Sequence, residues 1–453
     1  MMNKKILIVG LGISGVAAVK ALNKLGAEIV VYDGKSEDEL AAQLEELKEI
    51  DVKYHFNNYN FDEDIDLCIK SPGISMNTEI MKEITSRNIE VVSDLEAAYR
   101  ISKGEFIAIT GTNGKTTTTT LVGKILSHAD YDNKVTGNIG YGVFYDAYIA
   151  NENSYLVTEC SSFQLENTLL FKPHISIITN LSPDHIDWHE NCENYYRAKL
   201  KVANNQDEND YCIVNYEDDE LRNRTKELSA KIVFFSSDRV LEDGLYIEDN
   251  FIYFALNGIK EKIMNVNDIF VPGKHNLENC LAAIAVAKII GVNIEIIKKT
   301  ISEFKGVEHR LEFVAEINGI KYFNDSKGTN PDASIKAIQG MKEPVILIAG
   351  GYDKNSDYTD FIKSFDGKVK KLILMGQTKD NILETAIKMN FNDNILVESM
   401  DEAVKTAISI AEPGDTILLS PACASWDMYK NYGIRGRDFK ERVVHYGKES
   451  RKS

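Results

Sequence analysis

A short run of glycines, threonines and one lysine is the part of this chain whose residue types best predict chemistry. The run is Gly111-Thr112-Asn113-Gly114-Lys115-Thr116-Thr117. It follows an apolar segment, Phe106 to Ile109, that is typical of a buried strand, and it precedes Thr118 to Ser127, where apolar residues recur at helical spacing. Backbone N–H groups at such a turn face phosphates, the lysine adds charge, and a threonine hydroxyl reaches Mg²⁺. The run predicts an ATP site.

The spacing of this run differs from that of the common phosphate-binding loop, which has a glycine five residues before the Gly-Lys pair. That position is Ile109 here, so the pattern is shorter and narrower. The alternative is a Gly-Thr turn that opens an ordinary helix. The strand before the turn and the helix after it favour the phosphate loop.

A second glycine turn, Gly10-Leu11-Gly12-Ile13-Ser14-Gly15, lies near the start of the chain between a predicted strand and a predicted helix. Asp33 ends the next strand, at the distance expected for an acid that binds a ribose. Taken alone, this turn indicates NAD. Its physics, however, is anion binding at a helix start, and a UDP-linked sugar also carries a diphosphate. The turn therefore leaves both ligands open, and a later turn, Ser71-Pro72-Gly73-Ile74, belongs to the same predicted domain.

Predicted strands and helices alternate along the chain, which indicates an α/β protein with mostly parallel sheets. We expect three domains: a small Rossmann-like domain at 1–100, a central ATP-binding domain of the phosphate-loop type at 101–305, and a C-terminal Rossmann-like domain at 306–453. The segment from Gly244 to Ile263 predicts an antiparallel meander at a sheet edge. The candidate site residues follow strand ends, where open α/β sheets bind ligands.

Composition narrows the class of protein. A chain of 453 residues suggests about three domains. The net charge of −17 argues against a broad nucleic-acid surface, and it makes any anion site depend on local lysines, arginines and metal ions. Six cysteines without a C-x-x-C pair predict reduced thiols in a cytoplasmic protein. No apolar run is long enough to span a bilayer, so we expect no membrane association.

Together, in order, these motifs resemble those of the Mur ligases, and most closely of their D-glutamate-adding members. The resemblance covers the whole chain and rests on the three turns above and on Gly137-Asn138-Ile139-Gly140, Glu159 to Glu166, Asp184-His185-Ile186-Asp187, Tyr195 to Lys199, His275 to Asn279, His309 to Glu312, Asp325 to Pro331 and Ser420 to Ser425. It implies that ATP phosphorylates the carboxylate of UDP-N-acetylmuramoyl-L-alanine and that the amine of D-glutamate attacks the acyl phosphate. Such chemistry needs cations where negative charge accumulates.

The resemblance also implies roles around ATP and magnesium. Lys115, His185 and Lys199 are the expected catalytic residues. Two Mg²⁺ sites are expected, with Thr116, Glu159, His185 and Lys199 as ligands, the last as a carbamylated lysine. The expected ATP contacts are the residues of the Gly111–Thr117 run together with Asn276, Asn279, Arg310 and Asp325. From the residues alone, a solvated helix start is the alternative for Glu159, a solvated helix face is favoured for Lys199, and a helix cap is as well supported as ATP binding for the two asparagines.

The two other substrates have their own implied residues. The UDP-substrate contacts are expected from Ile13, Ser14, Asp33, Gly34, Lys35, Ser71, Gly73, Asn138, Ser161 and Gln164. The D-glutamate contacts are expected from His185, Lys327, Thr329, Lys354, Ser425 and Tyr432. The Gly34-Lys35 pair departs from the family, which often has a bulkier polar residue and an arginine there. Because lysine lacks the forked donors of arginine, we expect the uridine contact to differ in detail.

Three alternatives remain open from the sequence. A related Mur or folylpolyglutamate-type ligase would add a different amino acid, an NAD-linked oxidoreductase would use the Gly10–Gly15 turn, and a nucleotide-binding regulator would bind ATP without turnover. We expect a monomer without a nucleic-acid partner.

Overall fold

Three β-sheets carry the fold in the computed structural model, which describes residues 2–58, 64–140, 142–342, 344–352 and 356–449. The chain divides into two units. The first comprises Met1–Asp268 and Glu278–Ser302, and the second comprises Ile269–Leu277 and Glu303–Ser453.

The first sheet is entirely parallel, with strand order β3-β2-β1-β4-β5. Its strands are β1 (Lys5–Val9), β2 (Glu28–Asp33), β3 (Lys53–Phe56), β4 (Leu67–Lys70) and β5 (Val91–Ser93). Its helices are α1 (Ile13–Lys24), α2 (Ala41–Leu47), α3 (Glu79–Ser86) and α4 (Asp94–Tyr99), with a 3₁₀ turn at Asp38–Leu40. The order places the carboxyl ends of β1 and β4 side by side, which brings both predicted UDP turns to one edge.

The second sheet has nine strands in the order β14-β13-β12-β11-β10-β9-β6-β8-β7. The strands are β6 (Glu105–Thr110), β7 (Asn133–Gly137), β8 (Tyr155–Glu159), β9 (Ile175–Ile178), β10 (Tyr211–Asn215), β11 (Lys231–Phe235), β12 (Gly244–Glu248), β13 (Phe251–Leu256) and β14 (Ile259–Asn265). The helices are α5 (Lys115–His128), α6 (Val143–Ile149), α7 (Ser162–Glu166), α8 (Ile186–His189), α9 (Cys192–Leu200), α10 (Asp219–Arg224), α11 (Lys274–Ile290) and α12 (Ile294–Glu303), with 3₁₀ turns at Thr225–Glu227 and Val266–Asp268. The strands from β12 to β14 pair antiparallel, so the predicted edge meander is confirmed.

The third sheet lies in the second unit, with order β15-β16-β20-β17-β18-β19 and one antiparallel pair, β15 with β16. Its strands are β15 (Glu312–Ile317), β16 (Ile320–Asn324), β17 (Val345–Ala349), β18 (Val369–Leu374), β19 (Asn394–Leu396) and β20 (Thr416–Leu419). Its helices are α13 (Pro331–Gly340), α14 (Thr359–Lys363), α15 (Lys379–Lys388), α16 (Met400–Ile410) and α17 (Tyr432–Glu449). Strands β16 and β20 are neighbours, so the turns after them lie together.

Within the stretches that the structure describes, no helix combines the length and the apolar character needed to cross a membrane.

A buried carboxylate ties two segments of the first unit together. Glu96 in α4 is fully buried, and its oxygens accept the backbone N–H groups of Leu169, Leu170 and Phe171 at 2.9–3.1 Å. Arg100 donates to it from one helical turn away, at 2.8 Å. Three consecutive N–H groups and a guanidinium offset the cost of burying the charge, so this glutamate stabilises the fold.

Replacing Glu96 with glutamine should lower the free energy of unfolding by about 2–4 kcal/mol, because an amide cannot accept all of these N–H groups and brings a competing donor. The midpoint of thermal unfolding, followed by circular dichroism, measures this. The matched control is Glu83→Gln, which removes a surface ion pair with Arg87 and should cost less than about 1 kcal/mol. Equal midpoints for the two variants would contradict the assignment.

Candidate active site

Two glycines give the Gly111–Thr117 loop its shape. Gly111 and Gly114 have φ of 135° and 86°, in the region that disfavours residues with a Cβ. A Cβ on Gly111 would lie 2.0 Å from Thr179 Oγ1, and one on Gly114 would lie 2.3 Å from Asn279 Oδ1. The loop therefore needs glycine at both places for conformation and for space.

Hydrogen bonds with Thr179 and Asn180 fix the conformation of the loop. The N–H of Asn113 donates to Asn180 Oδ1 at 2.9 Å, and the N–H of Thr112 donates to the Asn180 carbonyl at 2.9 Å. The hydroxyl of Thr179 donates to the Asn113 carbonyl at 2.6 Å. Asn180 is thus a supporting residue that the site prediction did not include, although its place two residues after strand β9 is a signal for it.

Helix α5 begins at the end of this loop and offers backbone donors. Its first intrahelical bond runs from the N–H of Thr118 to the Gly114 carbonyl at 3.0 Å, so the N–H groups before it have no acceptor inside the helix. The side chain of Thr116 is buried in this first turn. The N–H groups of a helix's first turn and the positive end of its dipole are suited to binding phosphate.

Two lysines converge on one carbonyl of the loop. Lys115 Nζ donates to the carbonyls of Gly111 and Thr112, both at 2.9 Å, and Lys199 Nζ donates to the Gly111 carbonyl at 2.7 Å. Lys199 is buried on α9, with its Nζ 4.6 Å from the centre of the Tyr195 ring. Burial, and next the charge of Lys115, hold the pKa of Lys199 well below its ordinary value. The sequence pattern alone favours a solvated lysine at this position, and the burial of Lys199 excludes that interpretation.

Glu159 ends strand β8, which pairs directly with the strand that leads into the loop. It is buried, and its Oε1 accepts the side-chain N–H of Asn138 at 2.9 Å. Its Oε2 is also buried but has no hydrogen-bond partner among the residues described. A bare buried carboxylate oxygen is costly, and Mg²⁺ prefers this kind of ligand, so the residues present fit a magnesium ion. The predicted metal ligand Glu159 and the predicted substrate residue Asn138 therefore form one pair.

His185 lies in a left-handed backbone conformation, with φ of 51°, at the start of α8. Its Nε2 is 3.6 Å from Asp184 Oδ2, and its half-exposed ring packs edge-on to Phe163 at 4.9 Å. The same phenylalanine stacks on His189, a residue that the prediction missed. His189 is buried, which lowers its pKa, and its Nε2 lies 3.0 Å from Ser162 Oγ. This aromatic packing positions His185.

The side chain of Gln164 forms hydrogen bonds with other residues of the protein. Its Oε1 accepts the N–H of Ser161 at 3.1 Å as part of a capping box on α7, and its Nε2 donates to both oxygens of Asp94 at 3.2 and 3.3 Å. Burial raises the pKa of Asp94, and a hydrogen bond from Ser14 partly opposes this. Asp94 was not predicted, yet it joins three of the expected substrate residues in one network.

The two turns predicted to bind UDP are bonded to each other. Ser71 Oγ donates to the Gly10 carbonyl at 2.9 Å. Asp33 accepts the N–H groups of Leu11 at 2.7 Å and of Lys35 at 2.9 Å, so the acid orders the first turn. The remaining expected contacts lie on these same segments: Ile13, which is 70 % exposed at the start of α1, Ser14, Gly34 and Gly73.

A buried lysine supports the second of these turns and was also missed. Lys70 ends β4, is fully buried, and donates to the Ile74 carbonyl at 2.7 Å. Burial lowers its pKa, while the charges of Glu166 and Asp94 oppose the shift.

In the second unit, Asp325 follows β16 and is buried. Its Oδ2 accepts the Ser420 hydroxyl at 2.7 Å, and its Oδ1 accepts the N–H of Leu311 at 3.2 Å. Burial raises its pKa to about 7, and Ser420 and the charge of Arg310 moderate the rise. Arg310 has a buried Nε for which the described part of the chain supplies no acceptor. The structure thus brings Asp325 and Arg310, both predicted for ATP, into one electrostatic environment.

Four of the predicted D-glutamate residues, Lys327, Thr329, Ser425 and Tyr432, lie in the second unit, whereas His185 lies in the first. Lys327 and Thr329 follow Asp325, and Lys327 Nζ lies 5.7 Å from the centre of the Tyr432 ring. Ser425 is buried in the turn after β20. Lys354 lies outside the described residues. Asn330 caps α13 by accepting the N–H of Ala333 at 2.9 Å, which fixes the end of the first turn.

The two asparagines of α11 belong to different units. Asn276, in the second unit, donates its amide to the Pro272 carbonyl at 2.7 Å. Asn279, in the first unit, accepts the Thr118 hydroxyl at 3.3 Å beside the phosphate loop. Asn279 therefore lies against the loop as an ATP residue should.

Three family models match the chain in sequence. A Mur ligase MurD-like N-terminal domain matches residues 4–93, a Mur ligase middle domain matches 109–287, and a Mur ligase glutamate ligase domain matches 309–423. The chain belongs to the Mur ligase family. The resemblance seen in the sequence and the three-domain α/β fold class are confirmed.

Two curated relatives of this Mur ligase show the degree of similarity. It is 48% identical to a UDP-N-acetylmuramoylalanine–D-glutamate ligase of Caldanaerobacter subterraneus subsp. tengcongensis, over 97% of this chain and 98% of the relative. It is 45% identical to the protein of the same name from Clostridioides difficile, over the same shares of the two chains.

Solved structures agree in fold. The UDP-N-acetylmuramate-alanine ligase MurC of Thermotoga maritima matches with a TM-score of 0.60 at 22% identity, covering 98% of this chain and 100% of that one. The MurF ligase of the same organism, solved in complex with ADP, matches with a TM-score of 0.58 at 14% identity, covering 93% and 96%.

Asp325 should make the stability of this Mur ligase depend on pH. Its pKa is raised from 3.8 to about 7, so between these values the folded state binds a proton that the unfolded state has released. Stability from this group is therefore present at low pH and lost as the pH rises towards 7, by at most about 4 kcal/mol.

The variant Asp325→Asn removes the titration, so its unfolding midpoint should fall less between pH 5 and pH 8 than that of the unmodified protein. Thermal unfolding at both pH values measures this. A fall as large as in the unmodified protein would contradict the raised pKa. Asp332→Asn, in the neighbouring helix α13, is the control and should leave the difference unchanged.

Proposed function

We propose that this Mur ligase joins D-glutamate to UDP-N-acetylmuramoyl-L-alanine at the expense of ATP, in the synthesis of peptidoglycan precursors. The observation that carries the proposal is the convergence of Lys115 and Lys199 on the Gly111 carbonyl, beside the bare carboxylate oxygen of Glu159. Relatives at 45–48% identity that carry the D-glutamate ligase name support the choice of amino acid.

The reaction proceeds in two transfers. The carboxylate of the alanine attacks the γ-phosphorus of ATP, ADP leaves, and an acyl phosphate forms. The amine of D-glutamate then attacks the acyl carbon, loses a proton, and displaces phosphate to give the amide. Each transfer brings anions together, so the positive charge near Gly111 lowers both barriers.

The residues predicted for ATP and Mg²⁺ serve the triphosphate. The Gly111–Thr117 loop and the first turn of α5 bind phosphate through N–H groups, and Lys115 leaves its loop carbonyls to contact the β- and γ-phosphates. Thr116, Glu159, His185 and Lys199 would hold two Mg²⁺ ions, which would neutralise phosphate charge. Asn279 contacts the nucleoside, as do Asn276 and Asp325, and Arg310 contacts the phosphates.

We extend this proposal to carbamylation of Lys199. A neutral amine adds to CO₂ and loses a proton, which converts a cation into a carbamate anion that can bind a metal. The low-polarity surroundings of Lys199 favour the neutral amine, and Lys115 and a magnesium ion would stabilise the anion.

The UDP-substrate and D-glutamate bind to the residues predicted for them at the strand ends. The diphosphate and uridine lie against the bonded turns at Gly10 and Ser71, with Ile13, Ser14, Asp33, Gly34, Lys35 and Gly73. The muramoyl-alanine end contacts Asn138, with Ser161 and Gln164 shaping that region. D-Glutamate contacts His185, Lys327, Thr329, Lys354, Ser425 and Tyr432, whose lysines match its two carboxylates.

The domain boundaries at residues 100 and 305, the monomeric state, the cytoplasmic location and the lack of a nucleic-acid partner remain predictions from the sequence.

Phosphate release tests the function directly. With ATP, Mg²⁺ and UDP-N-acetylmuramoyl-L-alanine, the protein should release phosphate when D-glutamate is added and should release much less with L-glutamate, L-alanine or meso-diaminopimelate. Release with one of the others but not D-glutamate would point to a related ligase. ATP binding without release under any condition would favour a regulator, and tight binding of NADH would favour an oxidoreductase.

Lys199→Ala should lower kcat by at least about 10²-fold, because it removes a group that acts on transition-state charge. Intact-protein mass spectrometry in bicarbonate should show one added carboxylate on the unmodified protein and none on the variant. Lys201→Ala, two residues along, is the control. Full activity of Lys199→Ala, or a bare lysine in an active, metal-bound sample, would refute the carbamate.

A further inference from the structure

A fully buried arginine lies behind the predicted amino-acid pocket of the second unit. Arg435 is in the first turn of α17 and is 1 % exposed. Burial lowers its pKa to about 10, which leaves the guanidinium charged at neutral pH. A buried charge is costly unless all of its donors are used, so its partners indicate what the residue is for.

Those partners lie on two turns. Arg435 Nε donates to Ser326 Oγ at 3.0 Å, and Nη2 donates to the Ser326 carbonyl at 2.9 Å. Nη2 also donates to the Cys423 carbonyl at 3.0 Å, and Nη1 donates to the Ala424 carbonyl at 3.1 Å. The planar fork of the guanidinium thus bridges the turn after β16 and the turn after β20, mainly through backbone oxygens, as a lysine could not.

A third segment packs on the same contact. The Ala424 carbonyl also accepts the N–H of Tyr352 at 2.9 Å. A Cβ on Gly351 would lie 2.2 Å from that carbonyl and 3.1 Å from Arg435 Nη1. The start of α17 joins as well, because Ser326 Oγ donates to the Tyr432 carbonyl at 2.8 Å.

We propose that Arg435 is a positioning residue that fixes the shape of the D-glutamate pocket. Each segment that it joins carries or adjoins an expected pocket residue: Lys327 and Thr329 follow Ser326, and Ser425 follows Ala424. This inference rests on the proposed function of those residues. Arg435 touches no substrate. It sets the spacing between the lysine on one turn and the serine on the other, and so acts on D-glutamate more than on the UDP-substrate.

The test compares Arg435→Met and Arg435→Lys with Arg442→Met in the full-length enzyme. Arg442 lies on the same helix and pairs with Asp401 and Asp438. For Arg435→Met we expect the KM for D-glutamate to rise at least tenfold while the KM for the UDP-substrate stays within twofold. Arg435→Lys should recover part of this loss, and Arg442→Met should change neither constant.

A folded Arg435→Met with a KM for D-glutamate within twofold of the unmodified value would overturn the inference. So would a parallel rise of the KM values for all three substrates, which is the mark of a merely structural role. If Arg435→Met does not fold, Arg435→Lys and Ser326→Ala decide by the same ratio. If the unmodified enzyme uses another amino acid, the proposed function fails, and the ratio measured with that amino acid still tests Arg435.

Discussion

Two ammonium groups that share one backbone carbonyl are the constraint on which the first unit depends. Lys115 and Lys199 both donate to Gly111, so their charges lie within a few ångströms of each other in a poorly solvated site. In a chain with a net charge of −17, the two nitrogens place positive charge near the carboxylates of Glu159 and Asp184. Repulsion between the two lysines is relieved by an anion or by loss of one charge. The arrangement is therefore suited to phosphate, and the loop, α5 and α9 hold the two lysines there.

The placement of these lysines also distinguishes two glycine turns that look alike in sequence. The Gly10 and Gly111 turns each join a strand to a helix, and both suit phosphate oxygens. Only the second has a lysine at the helix start. At the Gly10 turn, the carboxylate of Asp33 accepts the N–H groups of Leu11 and Lys35, and the hydroxyl of Ser71 donates to the Gly10 carbonyl. Charge placement, and not the glycine pattern, distinguishes the two turns.

The sequence predicted the parts of the fold that rest on local pattern. The buried strand β6 is a continuous apolar run, which the sequence predicts as a strand, whereas β7 and β3 have mixed or polar residues and give no such run. The motifs located the phosphate loop, Glu159 and Asp325. They could not locate Asp94, Lys70 or Arg435, because these residues are buried against segments that lie far away in the chain, such as Gln164 for Asp94 and Ser326 for Arg435. Their burial, and hence their role, arises only from folding.

The satisfaction of buried charges separates structural from functional groups. Glu96 and Glu159 are both buried glutamates, but Glu96 fills its oxygens with N–H groups while one oxygen of Glu159 is bare. Arg435 and Arg310 form the matching pair of cations, since the first makes four hydrogen bonds and the Nε of the second is unmatched among the residues described. A buried charge whose hydrogen bonds are made within the protein stabilises the fold. A buried charge with an unpaired atom destabilises the fold until a ligand binds that atom. By this criterion Glu159 and Arg310 are suited to binding a ligand, and Glu96 and Arg435 stabilise the fold, each in its own unit.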